Sequence, residues 1–141
     1  MRKERIFRFS GEAKERLVAV LVRLLAAEET VRFAYLYGSF LEDVPCRDID
    51  IGVSLDGPSL VDMALCAVEL GARLSREVGC PVDIRVLNEA PVSFSFQVLR
   101  GRLIFLRDPE VYGDFFERTV SRYLDIKPLL LRATKEAFGD A

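Results

Sequence analysis

Three carboxylates and one small-residue corner could do chemistry in this sequence. Asp48 and Asp50 stand one residue apart at the head of an apolar run, Ile49-Asp50-Ile51-Gly52-Val53-Ser54-Leu55. Asp83 sits in a second such run, Pro81-Val82-Asp83-Ile84-Arg85-Val86-Leu87. Gly38-Ser39 closes an earlier one, and eight residues, 40–47, separate it from Asp48. Alternate side chains of a strand share a face, so Asp48 and Asp50 point the same way, about 6.5–7 Å apart. Bare carboxylates directed at a core are costly, and a divalent cation removes that cost. If the Asp83 strand neighbours the first, Asp83 completes a metal site and orients or deprotonates an acceptor. Gly38 lets the backbone turn sharply and approach phosphate closely. Ser39 offers an N–H and a hydroxyl, and a helix opening just after it would add positive potential. The combination suits metal-assisted transfer of a nucleotide, with Asp48, Asp50 and Asp83 on the metal and Gly38 and Ser39 on the nucleotide.

Taken singly, these features are ordinary. A Gly-Ser marks any turn, and an Asp-x-Asp marks many solvated edges; their order and spacing carry the signal. Glu42 and Asp43 read as solvated loop residues. Arg47 and Arg85 read as ion-pairing residues that could also stabilise charge. Tyr35 and Tyr37 read as core or cleft-wall packing, with base stacking as the alternative, and Phe94, Phe96 and Phe105 read as core.

The composition narrows the chemistry. The chain has no histidine, which excludes Ser-His-Asp and Cys-His catalysis and every His-ligated zinc site. A metal would be held mainly by oxygen, which favours Mg²⁺ or Mn²⁺. Cys46, Cys66 and Cys80 form no CxxC pair and read as reduced thiols, Cys46 without a catalytic role. Net charge is −2, so no strong general nucleic-acid field is expected. Arginine outnumbers lysine sixteen to four, which permits local contacts with phosphate. The 141 residues, half of them apolar, fit one domain with a core. No apolar run approaches the ~18–20 residues that span a bilayer, and the N-terminal residues do not form a signal peptide. A cytoplasmic protein without membrane contact is expected.

Positioning these residues takes alternating helices and strands. Arg5 to Phe9 reads as a short strand or an extended arm. From Ser10 a helical stripe of Leu17, Val18, Val20, Leu21, Leu24 and Leu25 runs to about Glu28–Thr30. Val31–Tyr37 is β-branched and aromatic, hence a strand. Ile49–Leu55 is the next strand, and Asp56-Gly57-Pro58 turns the chain. Ser59-x-x-Asp62 resembles a capping box opening a helix with Leu60, Met63, Ala64, Ala67, Val68, Leu70 and Leu74 on its inner face. Gly79 stops it and Pro81 prevents continuation. The Asp83 strand follows, then a short helix over Asn88–Arg100 with Pro91 near its start, and a strand over Arg102–Arg107. Asp108-Pro109 reads as N-cap and first helical residue of a helix to about Leu124. Lys127-Pro128 would break or kink it, with helix resuming over Leu129–Phe138. The expected class is α/β (α+β): a mixed sheet covered by helices, one domain over 1–141 with a helical segment at about 109–138.

Gly38-Ser39 followed by Asp48-Ile49-Asp50-Ile51 resembles the signature of the minimal nucleotidyltransferases, within the DNA polymerase β-like superfamily. The resemblance runs from about Phe33 to Leu106, through Asp83 and Gly101-Arg102-Leu103-Ile104-Phe105. It implies the nucleotidyltransferase fold, Mg²⁺ and a nucleoside triphosphate. Many such proteins are antitoxins of HEPN-domain toxins, so it also implies transfer of AMP from ATP to a tyrosine of a HEPN ribonuclease, as in type VII-like systems. The chain departs from the pattern in three places. The loop between Ser39 and Asp48 is shorter, it lacks the usual glycine, and Arg47 stands where serine is frequent. Two other readings stay open. One is a binding antitoxin that masks a HEPN partner without catalysis, with Phe115, Phe116, Tyr123 and Leu129–Leu131 as docking residues. The other is a transferase for a small molecule or an RNA end, with homo-oligomerisation completing the acceptor pocket.

Overall fold

The computed structural model describes residues 9–42 and 46–138. Asp43 and most of the Arg5–Phe9 segment lie outside them; Phe9 itself is not in a strand, and its ring meets Phe40 edge-on at 5.7 Å. Helix α1 (Gly11–Ala27) opens at Ser10, whose hydroxyl accepts from the N–H of Ala13. Strand β1 (Val31–Tyr37) leads to a single 3₁₀ turn, Ser39–Leu41, and strand β2 covers Ile49–Leu55. Helix α2 (Leu60–Val78) starts at Ser59, whose hydroxyl accepts from the N–H of Asp62. Gly79 ends α2 in the left-handed conformation at φ 75°. Strand β3 (Val82–Val86), helix α3 (Val92–Leu99), strand β4 (Arg102–Leu106) and helix α4 (Pro109–Phe138) complete the described elements.

The sheet has strand order β3-β2-β1-β4. β1 is antiparallel to β2 and β4, while β2 and β3 are parallel and joined by α2. One face packs Ala34, Leu36, Ile49, Ile51, Val53 and Leu55 against Val18, Leu21 and Leu25 of α1 and Leu70 and Leu74 of α2. The other packs Phe33, Tyr35 and Tyr37 against Val98 of α3 and Phe115 of α4. Strands covered on both sides read as near-continuous apolar runs, which is the pattern of β1 and β2. Arg107 fastens the end of α1 by donating to the carbonyls of Ala26 at 2.6 Å and Glu28 at 2.9 Å.

Four expectations need correction. Leu60, Ala64 and Val68 do not face the core; the buried side of α2 is Ala67, Leu70, Gly71 and Leu74. The apolar residues of α2 are too many for one helical stripe, and periodicity alone cannot choose among them. The short helix starts at Val92, because Asn88 is held as a turn. Its Oδ1 accepts from the N–H of Leu55 at 2.9 Å, and its Nδ2 donates to the Leu55 carbonyl at 2.7 Å. α4 does not break at Lys127-Pro128 but runs through Pro128. That stretch is exposed, so water can take up the carbonyl that proline leaves unpaired. The turn after Gly38 is only three residues long, too short to carry a helix dipole.

Candidate active site

The sheet register places Tyr37 opposite Asp50 and Asp50 opposite Asp83. Paired positions on neighbouring strands share a face. The three residues therefore form one row across β1, β2 and β3, on the side covered by α3. Asp50 and Asp83 stand on adjacent strands whose axes are about 4.8 Å apart. Asp48 lies one residue ahead of β2, not within it. Its charge still acts on Asp50 more strongly than that of Asp83.

The corner after β1 closes on this row. Gly38 has φ 84° and ψ −161°, a conformation essentially restricted to glycine. A Cβ there would lie 2.6 Å from Oδ2 of Asp50, so the carboxylate rests directly against the Gly38 backbone. The first internal hydrogen bonds of the turn run from Leu41 N–H to Gly38 O at 3.2 Å and from Glu42 N–H to Ser39 O at 3.0 Å. The N–H groups of Ser39 and Phe40 precede them in the turn, at the corner itself. Lys14 of α1 braces the far side, donating to the Glu42 carbonyl at 2.6 Å with its ammonium 5.2 Å from the centre of the Phe40 ring.

Burial pushes the Asp50 carboxyl up to about 6, helped by the negative charges of Asp48 and then Asp83 and opposed by Arg85. Arg85 donates through Nε to Oδ2 of Asp83 at 3.3 Å, and this bond with the Asp83 charge raises the guanidinium pKa. Tyr37 is pushed up to about 12, first by burial and then by the Asp50 charge, so its phenol stays neutral. The Tyr37 ring meets Phe94 of α3 edge-on at 5.7 Å. Burial also raises the Cys46 thiol, consistent with a non-nucleophilic role.

Of the residues singled out from sequence, Gly38, Asp50 and Asp83 converge, with Ser39 and Asp48 at the corner and the head of β2. As placed, no three carboxylate, thiolate or imidazole groups among the described residues are close enough to hold an ion. Asp83 is engaged by Arg85 instead. The donor set nonetheless fits a hard divalent cation: Asp48, Asp50 and Asp83 are all carboxylates, and the repulsion of Asp48 and Asp83 at half-buried Asp50 is what a cation would relieve. Tyr37 forms a wall of the site, one of the two roles its sequence left open. Lys14 was not singled out; its only sequence signal is a lysine on an amphipathic helix, which marks nothing. A separate cavity of about 360 Å³, lined in part by Asn88, Ser95, Arg118 and Arg122, lies between α3 and α4 beyond the C-terminal end of β3 and does not include the carboxylates.

A mixed sheet with an acidic row beside a glycine corner is the arrangement that metal-assisted nucleotidyl transfer calls for. The chain belongs to the polymerase beta nucleotidyltransferase family, whose model matches residues 20–110. No curated protein matches the sequence. Among solved structures, it resembles a complex of tri-AMPylated Shewanella oneidensis HEPN toxin with MNT antitoxin, at 20% identity and TM-score 0.67, covering 89% of this chain and 99% of that one. A toxin–antitoxin structure with AMP-PNP is similar at 22% identity and TM-score 0.65, covering 89% and 98%. A MntA–HepT toxin–antitoxin structure is similar at 20% identity and TM-score 0.66, covering 89% and 99%. These likenesses establish the shared fold. Among the described residues no helix is long and apolar enough to cross a membrane.

Proposed function

We propose that this protein is an antitoxin that transfers AMP from ATP to a tyrosine hydroxyl of a HEPN toxin. The observation that carries the reading is the row of Asp50 and Asp83 beside Gly38, on the fold of the MNT antitoxins. A relative solved with AMP-PNP and another whose toxin is tri-AMPylated support ATP as donor and the toxin as acceptor. Gly38 and Ser39 bind the triphosphate through backbone N–H groups and the serine hydroxyl. Asp48, Asp50 and Asp83 hold Mg²⁺, which when bound neutralises phosphate charge and favours the ionised acceptor. Asp83, at the outer end of the row, orients the acceptor hydroxyl and takes its proton. The tyrosine oxygen bonds to the α-phosphorus, the bond from that phosphorus to the pyrophosphate oxygen breaks, and pyrophosphate leaves with its electron pair. Positioning and charge stabilisation supply the acceleration.

A masking role draws on α4, whose Leu124, Leu129, Leu130 and Leu131 are exposed. One experiment separates the two. The protein is co-expressed with the HEPN protein encoded beside it, and the complex is incubated with labelled ATP and Mg²⁺. Intact mass and peptide mapping should find adenylate on a toxin tyrosine with wild type and none with Asp48→Asn/Asp50→Asn. If the double variant still protects cells as well as wild type, masking replaces catalysis.

A further inference from the structure

The edge strand β3 floors a groove that reaches Arg85, the partner of Asp83. The parallel ladder is anchored at both ends: Ile49 N–H donates to Pro81 O at 2.9 Å, and Leu87 N–H donates to Val53 O at 2.8 Å. Alternation between these bonds turns the backbone of Asp83 and Arg85 toward β2 and that of Ile84 and Val86 away from it. Among the described residues β3 has no strand on that outer side. The Val82 N–H, at the start of the strand, is taken by the Ser75 hydroxyl at 2.8 Å. The two residues after it with outward-facing backbone present donors and acceptors in strand spacing.

β3 is short and carries the charged Asp83 and Arg85, but no proline or lysine lies within it, and among the described residues no strand covers its outer side. It forms the floor of a groove of about 540 Å³, walled by Ala67 and Val68 of α2 on one side and Pro91 and Phe94 on the other. The α2 wall continues into an exposed apolar stripe, with Val68 71% exposed and Leu60, Val61 and Leu65 also open. Contiguous apolar surface of this kind marks a contact site. The carboxylates do not line the groove; it reaches them through its lining residue Arg85, which bonds Asp83 at 3.3 Å. The side chains of Asp83 and Arg85 are 46% and 61% exposed there.

We propose that the acceptor polypeptide docks by strand addition: an extended segment of the toxin pairs with the free edge of β3 and places its tyrosine opposite Asp83. The inference rests on the proposed AMP transfer. Outward backbone groups in strand spacing suit an extended peptide, and the apolar walls accept its alternate side chains. A residue paired opposite Asp83 falls on the same sheet face and extends the row Tyr37–Asp50–Asp83 by one strand. The acceptor hydroxyl thus enters from the Asp83 side, while the nucleotide is held at the Gly38 side.

Amide hydrogen exchange of the wild-type protein, alone and in complex with the HEPN protein, tests this alongside adenylate transfer. Strand addition slows exchange at Ile84 and Val86 at least tenfold in the complex. Val68→Glu, on an exposed helix face, then raises the KM for the toxin at least tenfold and leaves the KM for ATP unchanged. Val86→Pro, which removes an outward donor from an edge strand, has the same signature. If wild type adenylates the toxin while Ile84 and Val86 exchange at their free rates, strand addition is overturned and the proposed function stands. If wild type transfers no adenylate, the proposed function fails and this inference falls with it.

Discussion

The Asp50 carboxylate lies against the bare backbone of Gly38, so close that a Cβ on residue 38 would sit 2.6 Å from Oδ2. The corner that would hold phosphate and the carboxylate that would hold metal are thus in contact before any ligand arrives. The register of β1 on β2 sets this contact, since Tyr37 pairs with Asp50 and Gly38 is the next residue.

Gly38→Ala should therefore damage both fold and site. The backbone conformation, φ 84° and ψ −161°, costs a non-glycine residue about 1–3 kcal/mol. The new methyl also displaces Asp50 from the corner. We expect urea unfolding to show a loss in that range and adenylate transfer to fall about a hundredfold or more, because a misplacement of about 1 Å has that effect on catalysis. A variant that unfolds earlier yet transfers at the wild-type rate would separate the corner from the chemistry.

Asp50→Asn should stabilise the metal-free protein while abolishing transfer. The folded carboxyl is raised to about 6 from 3.8, so the folded state binds the proton more tightly than the unfolded state. Its stabilising contribution is full below the unfolded value and is lost as pH rises through about 6. At neutral pH the wild type carries a disfavoured charge that asparagine lacks. Solvent reaching this half-buried group screens the effect, and a rise in Tm of about 2–4 °C is the expected size. In EDTA the two melting curves should converge as pH falls toward 4. Added Mg²⁺ should raise the Tm of wild type and not of the variant.

The elements that position the site were legible because their signals are local. β1 and β2 begin and end where the apolar runs do, Ser59 and Gly79 cap α2, and Asp108 caps α4 by accepting from the Val111 N–H at 3.1 Å. The neighbourhood of Asp50 and Asp83 was legible only as a condition, since strand order depends on tertiary contacts that no spacing encodes. The exposed stripe of α2 was misread for the same reason: Val68 is as apolar as Leu70, and only the packed sheet decides which turns inward. Lys14 went unseen because its partners, Glu42 and Phe40, are distant in sequence.

Tyr37 tests whether the wall of the site acts through its ring or its hydroxyl. Burial and the nearby Asp50 charge hold the phenol neutral, with a pKa pushed up to about 12. The ring is buried and meets Phe94 edge-on. Tyr37→Phe keeps that packing, so adenylate transfer should stay within about fivefold of wild type. Tyr37→Ala opens a cavity under the carboxylate row. Losses of about 3–5 kcal/mol follow large aromatic truncations, and chemical unfolding should show one of that order. A large loss of transfer in the phenylalanine variant, with stability intact, would give the hydroxyl a direct part in catalysis.

Arg85 ties the acid side of the pH profile to the sheet. Its guanidinium bonds Asp83 at 3.3 Å and is the charge that opposes the upward shift of Asp50. Asp50 must be ionised to bind metal, so transfer falls as pH drops through its pKa. Removing the Arg85 charge leaves burial, Asp48 and Asp83 unopposed, and the Asp50 carboxyl rises further. Arg85→Gln should move the acid limb of kcat/KM for ATP to higher pH, at one fixed Mg²⁺ concentration, while the rate on the alkaline plateau changes less than tenfold. An acid limb that stays in place would mean that Asp50 is not the group whose ionisation it reports.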